Sequence, residues 1–206
     1  RSSAQQLLAP EGRRVTLPVS AYLIEHPRGL VLVDAGWCRD ISPEGVYDAK
    51  AARAVLGGQL AAFYRPALGP GQAVHEQLAA LGIRPQDLEL VIVTHLDPDH
   101  VSGVRHVAGA KRIIMPEDEY FWSCRTVYKL RQPWKLWIDL PLERVFYRGL
   151  PDVPNSWEGD AAPGFGFDAG LQRKSLEWVR QMSRRPGCTG VFASHDAAVM
   201  PQIVEV

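Results

Sequence analysis

Leu88-Glu-Leu-Val-Ile-Val-Thr-His-Leu-Asp-Pro-Asp-His100 decides the fold. Leu88 to Val93 is an apolar, β-branched run of the kind a buried strand shows, and it stops directly at Thr94-His95. His95, Asp97, Asp99 and His100 then bring four imidazole or carboxylate groups into six positions. Such groups make a poor core, because each costs free energy to bury without a partner, but they are the donors that zinc, manganese and iron accept. In a loop leaving a strand, His95 and Asp97 can face one side while Asp99 and His100 turn toward another, a pattern suited to two neighbouring ions. Pro98 fixes its own φ and biases Asp97 toward extended backbone. The plainer reading is a capping aspartate beside exposed histidines, with Asp99 capping a helix that starts near His100.

Working outward, Val74, Leu78 and Leu81 recur at helical spacing, and Gly82 with Pro85 stops that helix before the strand. Upstream, Val15–Ile24 reads as extended and Gly29–Asp34 follows across a His-Pro-Arg turn, a hairpin pattern. Pro43 to about Leu68 is alanine-rich but contains Gly57-Gly58, so a helix interrupted by a loop is expected. Downstream, Lys111–Met115 reads as a short strand and Pro116-Glu-Asp-Glu as the start of a helix. Trp122, Tyr128, Trp134 and Trp137 suit either a pocket cover or plain core. Residues 150–170 are irregular, Leu171–Met182 is helical with Leu176, Val179 and Met182 on one face, and Gly190–Ala193 reads as a short buried strand ending near His195.

Thr94-His-Leu-Asp-Pro-Asp-His-Val-Ser-Gly103 resembles the His-x-His-x-Asp-His signature of the metallo-β-lactamase superfamily, in the branch that contains N-acyl-homoserine lactonases. Leu30-Val-Leu-Val-Asp-Ala-Gly36 is similar to that family's first hairpin, with Asp34 in its buried acidic position, and Ser175–Arg180 through Phe192-Ala-Ser-His-Asp196 resembles its closing helix and last ligand strand. The resemblance covers residues 15–148 and 165–206. It implies an α/β (α+β) αββα sandwich, one domain over 1–206, and two divalent ions: zinc first, manganese or iron as alternatives. His95 and Asp97 would hold the first ion, and Asp99, His100 and His195 the second.

The chain departs from the family in two ways. Asp97 stands where the family's second histidine is usual, which hardens the first site and moves its preference toward manganese or iron. The Pro-Gly-His-Thr-like turn and the Gly-Asp-like turn of the family's middle region are absent from their usual setting, since no histidine lies between His106 and His195. Glu158-Gly-Asp160 has the Gly-Asp form, but its neighbours align better with the loop just downstream. Arg148–Pro154 and the segment after it look like the two shores of a missing strand-rich part of the second sheet. A sequence joined across residues of a longer protein explains this better than a true deletion, which would expose core and unpaired edges.

Composition narrows the partners. Twenty-three basic and 23 acidic residues balance without a like-charge block, so neither a nucleic-acid groove nor an anionic-membrane patch is expected. A small-molecule substrate fits, and a homodimer is compatible. Cys38, Cys124 and Cys188 are odd in number and lack Cys-x-x-Cys spacing, which points away from a disulfide framework and toward a cytoplasmic setting. No run approaches a membrane span, although a chain beginning at Arg1 allows a removed leader. His26 and His75 read as solvated and His106 as a core-edge side chain. Serine-elbow and P-loop motifs are missing. The expected activity is hydrolysis of a lactone or related ester by a metal-bound hydroxide, with Asp99 both ligand and proton acceptor. The alternative is a metal-poor fold relative that binds a ligand or partner without catalysis.

Overall fold

The computed structural model describes residues 3–8, 14–116, 143–145 and 169–195. Two compact units, Arg1–Tyr147 and Arg148–Val206, are described separately. The first contains two sheets among the described residues. β1 (Ser3–Leu8), β2 (Arg14–Val19) and β5 (Tyr64–Ala67) form an antiparallel sheet in the order β2-β1-β5. β3 (Tyr22–His26), β4 (Gly29–Val33), β6 (Leu88–Ile92), β7 (Ile113–Pro116) and β8 (Glu143–Val145) form the second, in that order. β3 and β4 are the expected hairpin, while β4, β6, β7 and β8 run parallel.

Parallel neighbours need crossovers, and the helices supply them. Between β4 and β6 lie α1 (Ala49–Phe63), β5 and α2 (Val74–Ala80); between β6 and β7 lies the one-turn α3 (Pro98–Val101) with a 3-10 segment, Ser102–His106. Asp48 caps α1 by accepting from the Lys50 and Ala51 amides at 2.8 and 3.0 Å. Gly57, at φ 76°, breaks the helix as its Gly-Gly pair predicts. The core includes the strand residues Leu32, Leu88, Val91, Ile113 and Met115, the helix and loop residues Trp37, Ile41, Leu56 and Leu78, and Val101, Val104 and Val107 beside the ligand cluster. Each such side chain contributes roughly 1.5–3 kcal/mol by leaving water.

Arg39 ties this unit's loops together. Its guanidinium donates to the carbonyls of Ser42 and Leu68 at 2.9 Å and of Gly69 at 2.8 Å, and forms a two-pronged pair with Glu76 of α2. Glu76 in turn accepts from the Ala73 amide at the start of α2.

Several expectations are corrected. The extended run Val15–Ile24 divides at Ser20–Ala21 into β2 and β3, which belong to different sheets. β5, hidden in the alanine-rich stretch, is an edge strand, the position that tolerates its Pro66. Pro116 is the last residue of β7, and the helix expected to follow it lies outside the described residues. In the second unit α4 (Ala169–Ser183) buries Leu176 and Val179 as expected, but Gly190–Ala193 is not in a strand. The aromatic positions Trp122 to Trp137, Asp160 and residues 196–206 lie outside the described residues. No helix among the described residues is long and apolar enough to cross a membrane.

Candidate metal centre

The ends of β4 and β6 carry the site, beyond the carboxyl edge of parallel strands where open α/β sheets characteristically place ligands. The Asp34 amide donates to the Ile92 carbonyl at 2.8 Å, so the residue after β4 stays registered on β6. Asp34 adopts φ 59°, a left-handed conformation that aspartate tolerates better than most residues and that costs strain. The carboxylate positioned in this way is 3% exposed. It accepts from the Thr94 amide at 2.8 Å on Oδ1, and from the Thr94 hydroxyl at 2.8 Å on Oδ2, which also lies 2.8 Å from His100 Nδ1.

Asp97 occupies the cap position of α3 in extended backbone, φ −68° and ψ 141°, as Pro98 dictates. It makes no side-chain capping bond, and Asp99 lies inside the first turn rather than at its cap. That corrects the expected Asp99 cap and removes the plainer reading, since Asp99 and His100 are 2% and 0% exposed. His95 Nε2 lies 3.7 Å from Asp97 Oδ2, and His100 Nε2 lies 3.5 Å from Asp99 Oδ2. The His95 and His100 rings are 4.0 Å apart, centroid to centroid, so the two pairs stand side by side. Asp97 opens to solvent, its side chain 45% exposed, whereas the second pair is buried.

These distances suit a cation. Two donors on one tetrahedral zinc-like ion, each about 2.1 Å from it, are separated by about 3.4 Å. Each Nε2–carboxylate pair is close to that spacing, and each Nδ1 has its own oxygen partner, the arrangement that aims histidine lone pairs at a metal. His195 belongs to the second unit and occupies a turn after Ala193-Ser194.

The loop after β4 is latched to the motif. The Ala35 amide donates to the His100 carbonyl at 2.9 Å, the Gly103 amide to the Gly36 carbonyl at 2.8 Å, and the Cys38 amide to Ser102 Oγ at 2.9 Å. Burial, the largest influence, pushes the Cys38 thiol up to about 11, so it is a packing group rather than a nucleophile.

A profile of the metallo-beta-lactamase superfamily matches residues 14–172. The chain belongs to that superfamily. Sequence relatives of this metallo-beta-lactamase chain include an N-acyl homoserine lactonase of Agrobacterium fabrum, AttM, 30% identical over 113 residues. A second lactonase of that organism, AiiB, is 33% identical over 115 residues. The matched stretches cover 54% and 55% of this chain but only 40% and 38% of those relatives, so the chain spans about two fifths of their length. An N-acyl homoserine lactone hydrolase solved with N-hexanoyl-L-homoserine at its catalytic metal centre superposes with a TM-score of 0.69 at 20% identity, over 96% of this chain and 94% of that one. The dizinc quorum-quenching lactonase AidC superposes at 0.51 with 12% identity, over 82% and 69%. The α/β fold expected from the motif is thus the metallo-beta-lactamase fold.

Two histidines read as isolated form a pair instead. His75 of α2 and His106 stack with centroids 4.2 Å apart, and His106 Nε2 accepts from the Arg39 amide at 3.3 Å. Burial is the main cause that pulls both imidazoles below the ordinary histidine value of 6.5; Glu76, Arg39 and Asp40 also act on His75, and His75, Asp40, Arg105 and Glu76 on His106. A folded-state value below the unfolded one means the unfolded chain binds more protons between the two. The pair's contribution is therefore present above the unfolded value of 6.5 and is lost as pH falls below it through the lower folded-state value. Urea midpoints should drop between pH 7.5 and 5.5 in the natural protein and drop less in His75→Gln; equal drops in both would refute the assignment.

Proposed function

We propose that this chain is a metal-dependent hydrolase that opens a lactone or related ester, with N-acyl homoserine lactones, and hence quorum quenching, as the leading substrate class. The observation that carries the proposal is the pair of imidazoles anchored through Nδ1, each with its Nε2 at ligand spacing from a carboxylate. The lactonase relatives support the substrate class. His95 and Asp97 hold one divalent ion, Asp99 and His100 the second, and His195 joins the second on the strength of its sequence pattern. The residues 1–206 act together as a single hydrolase domain in this reading.

When bound, such ions lower the pKa of ligated water to about 7, supply the hydroxide nucleophile and polarise the carbonyl. The chain's own contribution is orientation and proton handling. Asp99, buried beside His100, would hold an ion through its carboxylate, and would take the proton of the attacking hydroxyl and return it to the alkoxide that leaves as the tetrahedral intermediate collapses. Zinc is the first expectation from the family resemblance, and Asp97, a harder donor than histidine, moves the first position toward manganese or iron. The free thiols Cys38 and Cys188 suit a cytoplasmic setting, and a small-molecule substrate needs neither nucleic acid nor membrane; a homodimer is a compatible assembly.

The test is turnover of a panel of acyl-homoserine lactones, simple esters and phosphodiesters by protein loaded with zinc, manganese or iron. Lactone opening that falls at least about 100-fold in Asp99→Ala, the scale of a lost general acid–base group, is the expected result. Full turnover with full metal content in Asp99→Ala would remove Asp99 from its role. Loaded protein that hydrolyses nothing would favour the non-catalytic binding relative.

A further inference from the structure

We infer that Thr94 is a positioning residue that fixes the tautomer of His95, and that Asp34, through Thr94, sets both histidines of the motif from one carboxylate. The inference rests on the metal-centre reading above and assigns a role to a residue the ligand pattern does not include.

A carboxylate only accepts, so the three groups that meet Asp34 must all donate: the Thr94 amide, the Thr94 hydroxyl and His100 Nδ1. His100 is therefore the Nδ1–H tautomer, with its lone pair on Nε2. A threonine hydroxyl has one proton, and here that proton is committed to Asp34 Oδ2 at 2.8 Å. Toward His95 Nδ1, 3.0 Å away, the same oxygen can offer only a lone pair, so His95 Nδ1 must donate. His95 is thereby also the Nδ1–H tautomer, with its lone pair on Nε2.

The relay runs His95 Nδ1–H to Thr94 Oγ1, Thr94 Oγ1–H to Asp34 Oδ2, and His100 Nδ1–H to the same Oδ2. No proton is transferred along it. Geometry makes it rigid, because the Thr94 amide is held by the other oxygen of that carboxylate. A threonine fits for a second reason: its branched Cβ restricts χ1 and keeps the hydroxyl between the two groups. His95 thus receives indirectly, from a strand-end threonine, the orientation that His100 receives directly from the aspartate.

The experiment uses long-range proton–nitrogen NMR of the imidazoles in the metal-free protein, with competitive chelator titration of zinc into natural protein, Thr94→Ser and Thr94→Val. In natural protein and Thr94→Ser, His95 should be Nδ1–H. Thr94→Val, isosteric but without the hydroxyl, should show a mixed or Nε2–H His95 with His100 unchanged, and about 10–100-fold weaker zinc binding at one site, the scale of a lost outer partner. A natural protein in which His95 is Nε2–H, or a Thr94→Val protein with unchanged tautomer and zinc affinity, would overturn the inference. Because the tautomer is read without metal, a chain that bound no zinc would defeat the metal-centre reading while leaving the Thr94 relay separately tested.

Discussion

Asp34→Asn should weaken metal binding by about 10–100-fold and lower stability by about 1–3 kcal/mol without changing the backbone. Asparagine tolerates the left-handed φ of 59° that Asp34 adopts, so the loop keeps its path. What changes is the sense of the hydrogen bonds. Three donors converge on the carboxylate, and an amide can present an oxygen on only one side. Whichever way it is turned, its NH2 faces a donor: the Thr94 amide in one orientation, the Thr94 hydroxyl and His100 Nδ1–H in the other. The second orientation frees His100 to take the wrong tautomer, which places a proton on the nitrogen that should ligate. Chelator competition and urea unfolding measure the two effects; an affinity equal to that of the natural protein would contradict the role given to Asp34.

Gly103→Ala should be the most damaging small substitution in the first unit, costing about 3 kcal/mol and abolishing tight metal binding. A Cβ there would sit 2.0 Å from the Ala35 carbonyl oxygen, 2.9 Å from the Ala35 carbonyl carbon and 3.0 Å from the Gly36 oxygen. All three are backbone atoms, and both strands of the contact are fixed by the Ala35–His100 and Gly103–Gly36 hydrogen bonds, so nothing flexible can yield. Relief requires the loop after β4 to separate from the motif, which moves Asp34 away from His100. Gly58→Ala is the control: nothing lies within 4 Å of its Cβ, and alanine in a helix is favoured over glycine by about 0.5–1 kcal/mol. Thermal unfolding of the two variants should shift in opposite directions; a Gly103→Ala protein as stable as the natural one would show that the loop and motif are not latched.

The parts of this fold that could be read in the sequence were those with a local period. β6 is apolar at every position but Glu89, as suits a parallel strand covered on both faces, and α2 repeats its apolar residues every turn before Gly82 ends it. β5 was hidden because a four-residue edge strand containing proline has no such period and follows an alanine-rich helix. The break between β2 and β3 was hidden because both are extended and apolar, and only pairing assigns them to different sheets. The ligand cluster was legible for the same local reason, four donors on one short loop. Its support was not: Thr94 meets Asp34 across 60 residues, His100 meets Asp34 across 66, and Ser102 meets Cys38 across 64. Only the family resemblance marks Asp34 in the sequence, and the need for glycine at 103 lies in the backbone of Ala35, 68 residues earlier in the chain. His75 and His106, each without partners in sequence, are a stacked pair in space.

The central claim is that His95, Asp97, Asp99 and His100 form a divalent-metal centre, and metal content tests it most directly. Protein reconstituted with zinc, manganese or iron and freed of excess ion should retain close to two ions per chain by elemental analysis, with one or both lost in His100→Ala and Asp99→Ala. A folded chain that retains no stoichiometric metal under any of the three loadings would contradict it.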